Sequence, residues 1–143
     1  MTTARRALGT WEGSLLDGSG SVQLESSGIN TYAVSWGART GVNQPTTTPE
    51  ELIAAAQATC YNMALAQELS LGGTPPATIQ TAVEVGFTAA DGITGILLDV
   101  RATVPGLTPE QFAEISARAK ENCPVARAMS ATPITLRAEL LQS

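Results

Sequence analysis

The sequence predicts an α+β domain, and three observations support this fold class. Segments in which apolar and polar residues alternate occur in two separate groups and indicate antiparallel hairpins. Two longer segments begin with helix-capping signals and predict the main helices. The predicted order is βββ-α-ββ-α-β, with antiparallel sheets and two main helices that are segregated along the chain. Neither an internal repeat nor a low-complexity linker divides the 143 residues, which predicts a single domain over residues 1–143.

Three short strands are predicted before the first helix. Residues 8–15 and 21–25 flank the glycine-rich turn LDGSG and predict a hairpin. Residues 30–36 (NTYAVSW) place Tyr32, Val34 and Trp36 at alternate positions and predict a third strand. A polar loop, GARTGVNQPTTT, is expected to follow.

The first main helix has a strong start signal and an unusual composition. Thr48 is the expected N-cap, Pro49 suits the first helical position, and Glu51 completes a capping box. The helix should stop at Gly72–Gly73. Alanine is frequent, and apolar residues occupy most of the circumference, which is typical of a helix buried on all sides. A chain this short can hardly bury such a helix alone, so the pattern predicts burial of the helix by a second copy of the protein.

The second half predicts two strands, a helix and a last strand. The two strands meet at Asp91–Gly92, a hairpin turn signal. The helix begins at Thr108 as N-cap, and Cys123–Pro124 ends it before a short further turn. The last strand, TPITLRAELL, alternates four apolar residues on one face: Ile134, Leu136, Ala138 and Leu140.

Composition excludes several classes of function. The chain carries 8 basic and 13 acidic residues and 4% aromatic residues, which argues against nucleic-acid and anionic-membrane partners. It has neither a signal-peptide pattern nor an apolar run of about 20 residues, which predicts a cytoplasmic protein. It has no histidine, which excludes Ser-His-Asp and Cys-His catalysis. The spacing of the two cysteines does not suit zinc, so no metal or cofactor is predicted.

The two cysteines allow two interpretations. Cys60 lies in the middle of the alanine-rich helix, where a buried cysteine is usually packing material. Cys123 lies before a proline that opens a short helix, so it is a candidate N-cap whose thiol would face the positive helix end. Either both residues are inert, or they form a dithiol/disulfide pair.

The residues around both cysteines resemble the OsmC/Ohr family of thiol peroxidases. The similar segments are NQPTTTPEELIAAAQATCYNMALAQEL and AKENCPVARAM, together with the N-terminal W-E-G and the glycine-rich turn. The resemblance extends over essentially the whole chain. It implies reduction of organic or inorganic hydroperoxides in intertwined dimers with sites at the interface. It also implies that Cys60 is the peroxidatic cysteine and Cys123 the resolving cysteine.

The resemblance further implies an arginine and a glutamate at the site. Arg39 fits the OsmC branch, because the glycine-rich turn lacks the arginine of the Ohr branch. Glu51 matches the family glutamate, although its capping role explains it equally well. Gln57 departs from the histidine that OsmC relatives often carry. The stretch 41–48 is longer and more polar than expected, and it could alter access to the pocket.

Helix geometry separates two of these residues. Glu51 and Cys60 would lie roughly 13.5 Å apart along the axis and on opposite sides of the helix. Glu51 is therefore expected to act at the Cys60 of a second subunit. Four residues flank the cysteines and are candidates for the walls of a peroxide pocket, with core packing as an equal alternative: Tyr61, Met63, Val125 and Met129.

The reductant and two rival functions remain open at this point. An external dithiol should restore the two thiols by exchange, and a lipoylated protein, as used by Ohr relatives, is a candidate. The main alternative is a non-catalytic dimeric module that binds small molecules and holds inert cysteines. The other is a thiol redox sensor whose output is a change of conformation.

Overall fold

The computed structural model describes residues 1–42 and 45–141. Within these ranges the chain forms two three-stranded sheets and four helices, which confirms the α+β class. It divides into two compact units, Met1–Leu52 and Ile53–Ser143. No helix in the described ranges is long and apolar enough to cross a membrane.

The first unit contains an antiparallel sheet in the order β1-β2-β3. Its strands are β1 (Leu8–Glu12), β2 (Ser19–Gln23) and β3 (Thr31–Val34). Inside β2, packing requires a glycine at position 20, because a Cβ at Gly20 would lie 2.5 Å from the Trp11 ring.

A single-turn helix, α1 (Trp36–Arg39), follows β3 and corrects one prediction. The alternation through Trp36 predicted that the strand continues, but it ends at Val34. Ser35 adopts an extended backbone and accepts a hydrogen bond from the Ala38 N–H, so it caps α1. The hydrogen bond from this cap favours a helical turn at the residues where the alternating pattern predicted a strand. In the predicted polar stretch 41–48, residues 43 and 44 lie outside the described residues.

The first main helix, α2 (Pro49–Leu71), has the predicted boundaries. The Thr48 hydroxyl accepts a hydrogen bond from the Glu51 N–H at 3.0 Å, as an N-cap should. The Glu51 carboxylate does not complete the box and instead accepts from the Thr47 hydroxyl. Gly73 ends the helix with φ +85°, a conformation that glycine adopts at low cost.

The second unit contains a mixed sheet in the order β4-β5-β6. Its elements are β4 (Thr78–Thr88), β5 (Gly92–Thr103), α3 (Pro109–Asn122), α4 (Pro124–Ala128) and β6 (Ile134–Leu141). The expectation of wholly antiparallel sheets is wrong for one pair, because β6 runs parallel to β5. The two helices α3 and α4 between β5 and β6 carry the chain back to the end of the sheet at which β5 begins, as a parallel crossover requires.

The core of the second unit lies between β5, α2 and α3. On β5, four alternate side chains are buried: Ile96, Leu98, Val100 and Ala102. On α2, one stripe at four-residue spacing is buried: Gln57, Tyr61, Leu65 and Leu69. Met63 and Leu71 of the same helix are 72% and 77% exposed. Within one chain α2 is therefore buried on one side, and the homodimer stays a prediction.

The Tyr61 hydroxyl should make the stability of the fold sensitive to alkali. It is fully buried and donates a 3.0 Å hydrogen bond to the Ser116 backbone carbonyl. Burial raises the pKa of Tyr61 to about 12, from 10.0 for an unperturbed tyrosine. The protonated form is thus favoured in the folded state. Stability that is fully present below pH ~10 should be lost as the pH rises through the folded pKa.

We expect Tyr61→Phe to lower the free energy of unfolding by about 1 kcal/mol at pH 8, through the lost hydrogen bond. Above pH ~10 this deficit should shrink, because only the wild type loses stability through Tyr61. Urea unfolding of both proteins at pH 8 and pH 11 measures the difference. Tyr32→Phe, at a 36% exposed tyrosine, is the matched control. An equal deficit at both pH values for Tyr61→Phe would contradict the assignment.

Candidate functional site

The second unit brings the two cysteines into contact. The Sγ atoms of Cys60 and Cys123 lie 3.1 Å apart, and both residues are free thiols. A disulfide requires about 2.05 Å between the sulfurs, so a shift of about 1 Å would join them. The pairing connects the middle of α2 with the junction of α3 and α4. Two cysteines that are far apart in the sequence are therefore close enough to form a disulfide after a small movement.

The junction of α3 and α4 fixes the position of Cys123. α3 ends at Asn122, and Pro124 opens α4, so Cys123 is at once the C-cap of one helix and the N-cap of the next. Its extended backbone is the conformation that a following proline favours. Cys123 is fully buried, whereas Cys60 is only partly buried. Of the two sulfurs, Cys60 is the more accessible to a small molecule.

The thiol of Cys60 has opposing influences on its pKa. Burial raises the pKa, the backbone N–H of Val125 lowers it by a hydrogen bond, and the neighbouring Cys123 raises it further. The net direction is upward, which favours the thiol over the reactive thiolate. A further cationic group would be needed to favour the thiolate at neutral pH.

The sequence predicted that the Cys123 thiol faces the start of α4, but the hydrogen bond from the start of this helix goes to Cys60. The Cys123 side chain makes no capping hydrogen bond. Instead, Val125 in the first turn of α4 directs its N–H toward Cys60. The first N–H groups of a helix lack partners within the helix, which makes this one available.

Gln57 is a site residue whose contact the sequence did not reveal. It lies one helical turn before Cys60 and is fully buried. Its Nε2 donates a hydrogen bond to Cys123 Sγ at 3.4 Å, while its Oε1 has no partner among the described residues. The sequence feature that could have indicated this contact is a polar residue on the apolar stripe of an alanine-rich helix.

The four residues predicted to line a peroxide pocket differ in their burial. Tyr61 belongs to the core, so the core-packing interpretation applies to it. Val125 and Met129 are partly buried against that core, and Val125 also reaches Cys60 through its backbone. Met63 is exposed in the single chain.

The first unit holds Arg39 in an ion pair with Glu50. Arg39 Nε donates to Glu50 Oε1 at 2.9 Å, and Nη2 lies 2.9 Å from the same oxygen. Glu50 is 6% exposed. The neighbouring Glu51 is exposed and accepts a hydrogen bond from the Thr47 hydroxyl instead, and its predicted role at a second subunit stays a prediction. Adjacent helical residues point about 100° apart, so only one of the two glutamates faces α1.

Arg39 also lines a groove of about 670 Å³ within the first unit. The walls are mostly apolar and include Trp11, Val34, Trp36 and Leu52. The place of the two tryptophans in this wall was not predicted from the sequence. A cation at the edge of an apolar surface suits a molecule with an apolar body and a polar head. No group of metal-ligating residues occurs in the described part of the chain.

Comparisons with known proteins identify the family of this chain. The family model described as OsmC-like protein matches residues 41–139. Peroxiredoxin OsmC of Escherichia coli K12 is 36% identical over 98% of this chain and 99% of its own, and Peroxiredoxin OsmC of Shigella flexneri gives the same values.

Solved structures with low sequence identity to this chain share its fold. An OsmC-like protein from Mycoplasma pneumoniae superposes with a TM-score of 0.76 at 13% identity over 99% of each chain. The organic hydroperoxide resistance protein OhrB of Bacillus subtilis gives a TM-score of 0.64 at 23% identity, over 95% of this chain and 98% of its own. The resemblance seen in the sequence is confirmed, and this chain belongs to the OsmC-like family.

Proposed function

We propose that this protein is a thiol-dependent peroxidase that reduces hydroperoxides through Cys60 and Cys123. The observation that carries the proposal is the 3.1 Å separation of the two free sulfurs. The relatives named as a peroxiredoxin and as an organic hydroperoxide resistance protein support it.

In the first step, the Cys60 thiolate attacks one oxygen of the hydroperoxide. The O–O bond breaks, the other oxygen leaves as alcohol or water after taking up a proton, and Cys60 becomes a sulfenic acid. The partial exposure of Cys60 supports its role as the attacking residue. Cys123 is fully buried and would be shielded from the peroxide.

In the second step, Cys123 attacks the Cys60 sulfenic acid. An S–S bond forms, the S–O bond breaks, and the hydroxyl group leaves as water with the proton of the Cys123 thiol. An external dithiol then reduces the disulfide by two exchange steps and is itself oxidised. A lipoylated protein is our candidate for this reductant.

Arg39 is proposed to supply the missing cation. Because burial raises the pKa of Cys60, the thiolate needs a stabilising positive charge at neutral pH. An arginine is always charged and can donate several hydrogen bonds to the thiolate and the peroxide. Glu50 would hold the guanidinium in place, since the two form a close ion pair.

We further propose that residues 1–143 act as one domain in a homodimer. Each site would join the cysteines of one chain to Arg39 and Glu50 of its partner. The axial part of the argument made for Glu51 applies also to Glu50, which precedes Cys60 on α2 by ten residues and so lies roughly 15 Å from it along the helix axis. The exposed apolar residues Met63 and Leu71 of that helix support burial by a second copy.

The adjacent glutamates offer a matched test of the ion pair. Arg39→Met should slow oxidation of Cys60 at pH 7 by at least about a hundredfold, as loss of a preorganised donor does. Glu50→Gln should slow it by roughly tenfold, because the guanidinium loses its position. Glu51→Gln should stay within about twofold of wild type. Rapid-mixing measurements of Cys60 oxidation give the rates, and a larger loss for Glu51→Gln than for Glu50→Gln would contradict the assignment.

Mixing two inactive variants tests whether Arg39 acts across chains. Arg39→Met and Cys60→Ser would be unfolded and refolded together. In a mixed dimer, one site receives both defects and the other receives none. Activity should return to about a quarter of wild type if subunits pair at random. A mixture of folded dimers that stays inactive would show that Arg39 serves its own chain.

A steady-state assay tests the function itself. Consumption of cumene hydroperoxide, tert-butyl hydroperoxide and hydrogen peroxide would be followed with dihydrolipoamide as reductant. A peroxidase turns over many times with at least one of these substrates. A binding module leaves both thiols unchanged, and a redox sensor oxidises once but turns over poorly with the dithiol.

A further inference from the structure

Gln57 is a neutral amide placed against the resolving sulfur. It is fully buried, and its Nε2 donates to Cys123 Sγ at 3.4 Å. The other three members of its buried stripe on α2 are Tyr61, Leu65 and Leu69. Gln57 is therefore the one member of this stripe that carries an amide.

Packing alone does not explain the amide. Its Oε1 is buried and has no hydrogen-bond partner among the described residues. A buried acceptor without a partner destabilises a fold, and an apolar side chain of similar size would remove that cost. Methionine, which is flexible and close to glutamine in length, would fill the same space.

We propose that Gln57 is a positioning residue for the resolving step, holding Cys123 against Cys60 and stabilising the charge that develops on the Cys123 sulfur. This inference rests on the proposed peroxidase function. The attacking form of a cysteine is the thiolate, and an N–H donor stabilises it. Gln57 takes no part in bond making, because the hydroxyl of the Cys60 sulfenic acid leaves as water with the Cys123 proton.

The effect should appear in one step of the cycle only. Gln57 donates to Cys123, so its loss should spare the peroxide-dependent oxidation of Cys60. The later formation of the disulfide, which does not depend on peroxide concentration, should slow by about tenfold in Gln57→Met. A purely structural residue would alter both steps together.

A single-turnover experiment on the full protein separates the steps. Reduced protein is mixed with one equivalent of cumene hydroperoxide and quenched at intervals with dimedone, and intact mass gives the sulfenic and disulfide fractions. In Gln57→Met the dimedone-labelled fraction should last about ten times longer than in wild type. Gln57→His, which keeps an N–H donor, should restore most of the rate. Gln80→Met, at an exposed glutamine of β4, is the matched control.

The outcomes distinguish this inference from the function on which it rests. If wild type forms no Cys60–Cys123 disulfide, the proposed function fails. If wild type forms it and Gln57→Met forms it equally fast or faster, the role of Gln57 is wrong. Equal slowing of both steps in Gln57→Met would also overturn it. Thermal unfolding should show Gln57→Met to be at least as stable as wild type, and Gln57→Leu provides the same test if the first variant does not fold.

Discussion

Replacing Cys60 by serine will abolish peroxide reduction while leaving the fold intact. The change is nearly isosteric, but a serine hydroxyl is a far weaker nucleophile than a thiolate. Peroxide consumption should therefore fall to the uncatalysed background. Because Cys60 is partly buried and its neighbours are mostly apolar, thermal unfolding should change little.

The same variant tests the assignment of the two roles. After exposure to peroxide, the buried Cys123 of Cys60→Ser should remain a free thiol. Thiol titration under denaturing conditions measures this. Rapid oxidation of Cys123 in the absence of Cys60, with peroxide consumption retained, would mean that the attacking residue is Cys123.

Replacing Cys123 by serine will stop the cycle after one oxidation. Cys60 should still react with one equivalent of peroxide, because its attack does not require the second sulfur. The product should be a sulfenic acid that dimedone labels, and steady-state turnover with a dithiol should fall by at least about tenfold. Mass spectrometry of the labelled protein identifies the product. Normal turnover in this variant would refute the resolving role.

Local signals predicted the helices accurately. Thr48 and Thr108 are each followed by proline and begin α2 and α3 at the expected residues. The wrong predictions arose where two local signals competed or where strands distant in the sequence pair. Ser35 capped a helical turn where alternation predicted a strand. The parallel pairing of β6 with β5 depends on residues far apart in sequence, which alternation within one strand cannot reveal.

The candidate site was partly predictable for the same reasons. The family motif predicted Cys60, Cys123 and Arg39 as site residues; the structure brings the two sulfurs together, and the roles of all three stay predictions. Glu51 was the predicted carboxylate, whereas Arg39 pairs with the adjacent Glu50 within the chain, and the role of Glu51 at a second subunit stays a prediction. Which of them meets Arg39 depends on the direction of the helix face toward α1. Gln57 was recognised only as a departure, because its contact with Cys123 joins two distant segments.

The central claim is that the two thiols form one redox pair, and one measurement tests it directly. Reduced protein is treated with one equivalent of hydroperoxide, and the remaining thiols, the intact mass and the peptides cleaved without reductant are determined. We predict that both thiols disappear within each chain and that one peptide pair links Cys60 to Cys123. Persistence of both thiols in the folded protein would contradict the claim, and so would a disulfide formed between chains.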